Sequence, residues 1–230
     1  MNDEYIKITY LFHAGMLFEL DKKRILIDVF TGKSIKNNIV NNSINYSKYE
    51  NVDYVFVTHE HGPHCDIDFI KRVLSNRSTK LICPNKVASM FPEFRKSIFN
   101  VSIGDEFDLD RIRIKVVKAI HPQSAYPVGY IFQYMNKNVY YTGDTYKFSD
   151  ASKFNVDVVI LPIGGTYTMD TYDAATFARD VKAKYAIPIH YNTYPKITQD
   201  VNEFVDYLDT LNIKPIILRE EQSISFKSKN

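Results

Sequence analysis

The stretch 52-VDYVFVTHEHGPHCD-66 decides how this chain is read. Its first six residues are an apolar, β-rich run of the length of one buried strand. The next nine hold His59, His61 and His64, half of the six histidines in the chain. In extended backbone, positions i and i+2 point to one side, so His59 and His61 converge. At His64 the chain turns toward a helix expected over 66–75, and such a turn can bring the third ring to the same point.

Around this loop, short strands alternate with occasional helices. Strands are expected at 5–10, 16–20 and 24–29, with a polar hairpin turn over 19–23, and again at 81–83, 106–109, 111–118, 128–135 and 138–142. VDVVILPIGG (156–165) is almost continuously apolar, as in a sheet covered on both faces. YAIPIH (185–190) and KPIIL (214–218) read as the last strands. Further helices are expected from Pro84 to about residue 90, over 170–183 and over 198–211. The Asn- and Ser-rich segment 31–50 reads as a loop. With no linker in view, the expectation is an α/β sandwich in one domain, 1–230, whose two halves share a layout without evident sequence identity.

Three more groups follow strands in the same way. His121 comes after 111–118, Asp144 after 138–142, and His190 closes 185–190. Loops at strand ends are where α/β folds keep their sites. Imidazoles and a carboxylate converging from four loops are the ligand set of zinc or a similar transition metal. The loop GGTYTMD (164–170) is expected to form a cleft wall, its glycines allowing close backbone approach. Tyr167, Tyr191 and Tyr194 are candidate pocket residues.

The order His59-Glu60-His61-x-x-His64, His121, Thr142-Gly143-Asp144-Thr145, His190 resembles the metallo-β-lactamase superfamily over nearly the whole chain. FHAGMLFE (12–19), RILIDVF (24–30), YTMDTYDAATFA (167–178) and IPIHYNTYP (187–195) resemble the branch of ascorbate 6-phosphate lactonase and predicted metal-dependent hydrolases. The resemblance implies a four-layered αβ/βα sandwich with a metal centre at one edge of its sheets. It implies one ion on His59, His61 and His121, a second on His64 and His190, and Asp144 bridging. Asp28 matches an aspartate that supports a ligand histidine, and reads otherwise as a strand-end turn residue. His13 matches a histidine of the branch, either a cleft-facing substrate contact or proton donor, or a packed ring.

One position departs from the pattern. The family cluster reads His-x-His-x-Asp-His, and its aspartate is a ligand of the second ion; here the residue is Pro63. Proline offers neither a side-chain ligand nor a backbone N–H. Three readings stay open: a weaker second site, Asp66 as a substitute carboxylate, or a single ion. Asp66 also reads as the N-cap of the helix after it, and Cys65 as a small packed residue. The activity implied is hydrolysis of a small ester, lactone or phosphorylated substrate by hydroxide generated on Zn²⁺ or Mn²⁺. A phosphodiesterase and a metal-binding protein without catalysis are the alternatives.

Composition narrows the class further. Of 230 residues, 45% are hydrophobic and 24% charged, which supports a packed core. A net charge of +2 without like-charge runs gives no footing for a nucleic-acid or membrane surface, so the partner expected is a small molecule. The start MNDEYIKITY lacks the basic and apolar regions of a signal peptide, and no apolar run is long enough to span a membrane. Two cysteines, Cys65 and Cys83, make no disulfide framework, and the compartment expected is the cytoplasm. Assembly into a homo-oligomer is not readable from these residues.

Overall fold

A computed structural model describes residues 4–32, 42–76 and 78–227. The first sheet takes β1 (Tyr5–Tyr10), β2 (Met16–Leu20), β3 (Lys23–Ile27), β4 (Tyr54–Phe56), β5 (Lys80–Pro84) and β6 (Ile98–Val101). Helix α1 (Ile67–Leu74) and the single turn α2 (Asn85–Ala88) lie between its later strands. The second sheet takes β7 (Glu106–Leu109), β8 (Ile112–Lys118), β9 (Val128–Tyr134), β10 (Lys137–Tyr141), β11 (Val158–Pro162), β12 (Tyr185–Ile189) and β13 (Lys214–Pro215). Helices α3 (Thr171–Asp180) and α4 (Val201–Thr210) precede its last two strands respectively with β12 between them, and β14 (Ser223–Lys227) returns to the first sheet.

The sheets are near copies in plan. The first runs β14-β1-β2-β3-β4-β5-β6 and the second β13-β12-β11-β10-β9-β8-β7. Counted from β14 in the first sheet and from β7 in the second, each has three antiparallel pairings followed by three parallel ones. Through β2, β1 runs parallel to β3 and β4; through β9, β8 runs parallel to β10, β11 and β12. The C-terminal ends of β1, β3 and β4 therefore share one edge of their sheet, and those of β8, β10 and β12 share one edge of theirs.

Strand alternation sorts side chains into layers. Ile25 and Ile27, Phe56, Ile82, Val158 and Ile160 face the core between the sheets. Their neighbours Leu26, Val55, Leu81 and Cys83 face Phe69, Ile70 and Val73 of α1. Val159 and Leu161 face Phe177 of α3 and Phe204 and Leu208 of α4. The result is helix, sheet, sheet, helix, the four-layered αβ/βα sandwich expected. Cys65 and Cys83 are free, buried in the α1 layer, and burial pushes both thiols up.

Several boundaries differ from expectation. The edge strands β6 and β14 were not expected; β14 pairs along all of β1 up to Thr9. KPIIL contributes only the two-residue β13, and the chain runs on past it to β14. Within 31–50, a 3-10 turn spans Tyr46–Tyr49, and 33–41 lie outside the described residues. The hairpin turn falls at Asp21 and Lys22, both at positive φ, the geometry that matches strand twist in a two-residue turn.

Candidate metal centre

All six histidines meet at the shared strand edges: His13 three residues after β1, His59 three after β4 with His61 and His64 further along the same loop, His121 three after β8 and His190 one after β12. Asp28 follows β3 and Asp144 follows β10 in the same manner. Three of these residues, His13, Asp28 and His190, hold left-handed φ of 61°, 46° and 56°. Such backbone costs of order 1–3 kcal/mol per residue and persists where the surroundings force it.

His59, His61 and His121 form a triangle. His61 Nδ1 lies 3.1 Å from His59 Nε2 and 3.2 Å from His121 Nε2. The opposite nitrogen of each ring has an outward partner. His61 Nε2 donates to the Gln123 carbonyl at 3.1 Å and His121 Nδ1 to the Tyr167 carbonyl at 3.2 Å. Thr58 donates its hydroxyl to Asp28 Oδ2 at 2.6 Å, so at 2.9 Å it accepts from His59 Nδ1. The inward nitrogens are therefore three lone pairs aimed at one another, which repel unless a cation lies among them. Two nitrogens held at about 2.0–2.1 Å on a tetrahedral ion stand about 3.3 Å apart, so the donor set fits Zn²⁺ or a similar ion.

Asp144 Oδ2 sits between this triangle and the other rings. It is 3.9 Å from His59 Nε2 and 3.8 Å from His121 Nε2, 3.3 Å from His64 Nε2 and 3.2 Å from His190 Nε2. His64 Nδ1 donates to Asp28 Oδ2 at 2.8 Å, fixing that ring. Asp28 is fully buried and also accepts from the Thr58 N–H at 2.8 Å and the Tyr141 hydroxyl at 3.1 Å. His13 Nε2, His64 Nε2, His190 Nδ1 and Asp144 Oδ1 are buried without a hydrogen-bond partner among the described residues. His190 Nδ1 lies on the side of its ring away from Asp144, beside Gly164, while the bare nitrogens of His13 and His64 and the bare Asp144 Oδ1 are groups a cation could satisfy.

Electrostatics set the protonation a metal needs. Burial holds His13 and His59 well below the usual imidazole range and His121 below it, so these rings are neutral. Burial would raise Asp144, but His190 and His64 beside it hold it well below the usual carboxylate range. For His64 burial would lower the ring, yet Asp144 and Asp28 on its two sides push it up to about 10. A proton there occupies the place a metal ion would take.

A cleft of about 280 Å³ opens over the centre, lined by His61, Pro63, His64, His121, Gln123, Asp144, Tyr167, His190 and Tyr194. The loop 164–170 forms a wall as expected: Gly164 passes so close that a Cβ there would stand 2.5 Å from the His190 carbonyl oxygen. Gly143, at φ 62°, lets the Asp144 loop cross Thr58, where a Cβ would meet the side chain at 2.9 Å. A larger depression of about 840 Å³ lies at the β2–β3 turn, the far end of these strands, where Arg111 is ion-paired with Asp21 and Glu4. It gathers no convergent histidines, whereas four line the smaller cleft.

Three expectations are placed differently. Asp66 touches no histidine: Oδ1 accepts the Phe69 N–H as N-cap of α1, and Oδ2 accepts the N–H and hydroxyl of Thr31. With both oxygens used, its N-cap reading stands and its role as a substitute carboxylate or support for the centre does not. His13 is fully buried beside His190 and His64 and is not among the residues lining the cleft, which is the placement of the packed-ring reading rather than the cleft-facing one. Tyr191 packs on the α3–α4 core while Tyr167 and Tyr194 line the cleft. Thr58, Tyr141, Thr193 and Gln123, which orient the rings, were not expected.

A family profile described as Beta-lactamase superfamily domain matches residues 7–190. A UPF0173 metal-dependent hydrolase of Saccharolobus solfataricus is 33% identical, covering 95% of this chain and 99% of its own. The chain belongs to the metallo-β-lactamase superfamily. It falls among that superfamily's UPF0173 metal-dependent hydrolases. Igni18, a metallo hydrolase from Ignicoccus hospitalis, is 26% identical with a TM-score of 0.82, covering 98% of this chain and 100% of its own. A putative metal-dependent hydrolase from Parabacteroides distasonis is 25% identical with a TM-score of 0.76 over 94% of each chain. Among the described residues, no helix of this metallo-β-lactamase fold is long and apolar enough to cross a membrane.

Proposed function

We propose that this protein hydrolyses a small, uncharged ester or lactone at an ion held by His59, His61 and His121, with Zn²⁺ the fitting ion and Mn²⁺ an alternative. The observation that carries the reading is the triangle of inward lone pairs, each fixed by an outer hydrogen bond. When bound, such an ion polarises a substrate oxygen and makes water acidic enough to serve as nucleophile near neutral pH. Three protein nitrogens would leave an ion that prefers four ligands one position for water or substrate, as in catalytic rather than structural sites.

The chain's own groups supply the rest. Asp144, ionised and reaching both halves of the centre, has Oδ1 free of hydrogen bonds to take the proton of the attacking water. Burial pushes the Tyr194 phenol up to about 12, so it stays a neutral donor toward a leaving oxygen in the cleft. Tyr167 and Pro63 offer apolar walls, and Gln123 an amide. At about 280 Å³ the cleft lies at the small end for ligand sites. Amide, phenol and proline walls suit an uncharged acyl compound better than a phosphate, which draws on arginine or lysine forks. The test is a panel of small lactones, acyl esters and phosphodiesters with Zn²⁺- or Mn²⁺-loaded protein. Ion-dependent turnover of the carbonyl compounds is expected. Full activity in ion-free protein would sink the reading, preference for phosphodiesters would move the substrate, and ion binding without turnover would favour a non-catalytic role.

A further inference from the structure

His13 is left without work by the cleft chemistry, yet it is built like a ligand. Resting on the metal-centre reading above, we infer that His13 Nε2 joins His64, His190 and Asp144 to hold a second divalent ion behind the cleft, in the half of the centre where Pro63 can give no ligand.

One ligand atom from each of His13, His64 and His190 lies within 4.8 Å of the others, the spacing of donors around one ion. The His13 ring centroid is 4.2 Å from that of His190 and 5.5 Å from that of His64. Nδ1 of His13 is tied to Thr193 Oγ1 at 2.6 Å, while Nε2 is buried with no partner among the described residues. This repeats the construction of the triangle, an anchored outer nitrogen and a bare inner one. A merely packed histidine would have both nitrogens satisfied, since an orphaned one costs about 1–3 kcal/mol. A proton-transferring histidine of the cleft would be reachable from it, and this ring is fully buried.

The backbone points the same way. The Phe12 carbonyl accepts the Gly15 N–H at 2.7 Å and the Gly15 carbonyl accepts the Leu11 N–H at 2.9 Å, closing a tight turn that holds His13 at left-handed φ. The His13 carbonyl accepts the His190 N–H at 2.8 Å. Two strained residues from different sheets are thereby locked to each other, with their rings in contact. Asp144 Oδ2 stands 3.3 Å from His64 Nε2 and 3.2 Å from His190 Nε2, so it would complete a four-donor set of the kind found in structural sites, and such an ion would tie loops of the two sheets together.

The experiment is ion counting on purified full-length protein, stripped and then titrated with Zn²⁺, by calorimetry and elemental analysis. Wild type is expected to bind two ions, and His13→Ala and His13→Gln one, with loss of the ion-induced rise in melting temperature that belongs to the second. Two ions in folded His13 variants, or one ion in wild type, would overturn the inference. No ion in wild type would instead defeat the metal-centre reading itself. Should the variants fail to fold, imidazole ¹⁵N resonances of wild type decide: the second equivalent of Zn²⁺ is expected to shift His13 Nε2 together with His64 and His190. An unmoved His13 resonance would overturn the inference.

Discussion

The two halves of the centre are made of the same residue type and differ in everything around it. In the triangle of His59, His61 and His121, the outer partners are neutral oxygens, a threonine hydroxyl and two carbonyls, and His61 and His121 face the cleft. In the half of His13, His64 and His190, two rings are held at left-handed backbone, and the carboxylate of Asp28 presses on His64. Both halves border the cleft, the second through His64 and His190, but only the second carries a charged outer partner and left-handed backbone. What separates them is the outer shell, not the ligands.

The largest effect that would break this comparison comes from the open half. His59→Ala removes a ring whose lone pair faces the other two and is expected to cost several kcal/mol of transition-state stabilisation, about a thousandfold or more in kcat/KM. Activity on the best ester or lactone, measured beside bound metal, checks it. Activity within tenfold of wild type would mean that the triangle is not where the chemistry occurs.

Asp28→Asn acts on the other half. It keeps the shape but weakens acceptance from His64 Nδ1 and from the Thr58 and Tyr141 hydroxyls. Loss of an outer partner of this kind costs about 10–100-fold in metal affinity. The expectation is that the weaker of two Zn²⁺ equivalents in a competition titration moves by that factor. Because Thr58 also anchors His59, the tighter equivalent moves less rather than not at all.

The halves also differ in pH response. In the ion-free protein the His64 pKa is pushed up to about 10, above its unfolded value. Its contribution to stability is therefore complete below about pH 6.5 and is lost as pH rises through about 10. A metal must displace that proton, so affinity in this half should climb about tenfold per unit from about pH 7 to about pH 9. His59 and His121 are lowered and carry no such proton, so the triangle should stay nearly flat. Chelator competition at several pH values reads both slopes, and equal slopes would erase the distinction.

How much of this was legible in sequence follows from the range of each interaction. The strand before His59 and the ladder of strand-end histidines are local patterns, and they placed the triangle, Asp144 and His190. The edge strands β6 and β14 read as nothing because they are short and largely exposed, and Asn100 and Ser225 interrupt their apolar residues. KPIIL does carry one, yet only Lys214 and Pro215 pair. The anchors were out of reach for a different reason. Thr193 reaches His13 across 180 positions and Tyr141 reaches Asp28 across 113, and neither residue type announces a partner at that distance. Asp66 was ambiguous because an N-cap and a metal carboxylate look alike until both oxygens are accounted for.

The smallest effect isolates one of those hidden contacts. The Tyr141 hydroxyl, on a fully buried ring, shares its one proton between the Ala14 carbonyl at 2.8 Å and Asp28 Oδ2 at 3.1 Å. Tyr141→Phe keeps the ring and removes both bonds, leaving a buried carbonyl and a carboxylate with one donor fewer. The cost expected is about 1–3 kcal/mol in folding stability, measured by denaturant unfolding of the ion-free protein. Asp28 keeps its bonds from Thr58 and His64, so affinity for the second ion should fall by less than in Asp28→Asn, while the triangle's affinity stays level. If both ions weakened equally, the two halves would be one coupled unit rather than two sites sharing Asp144.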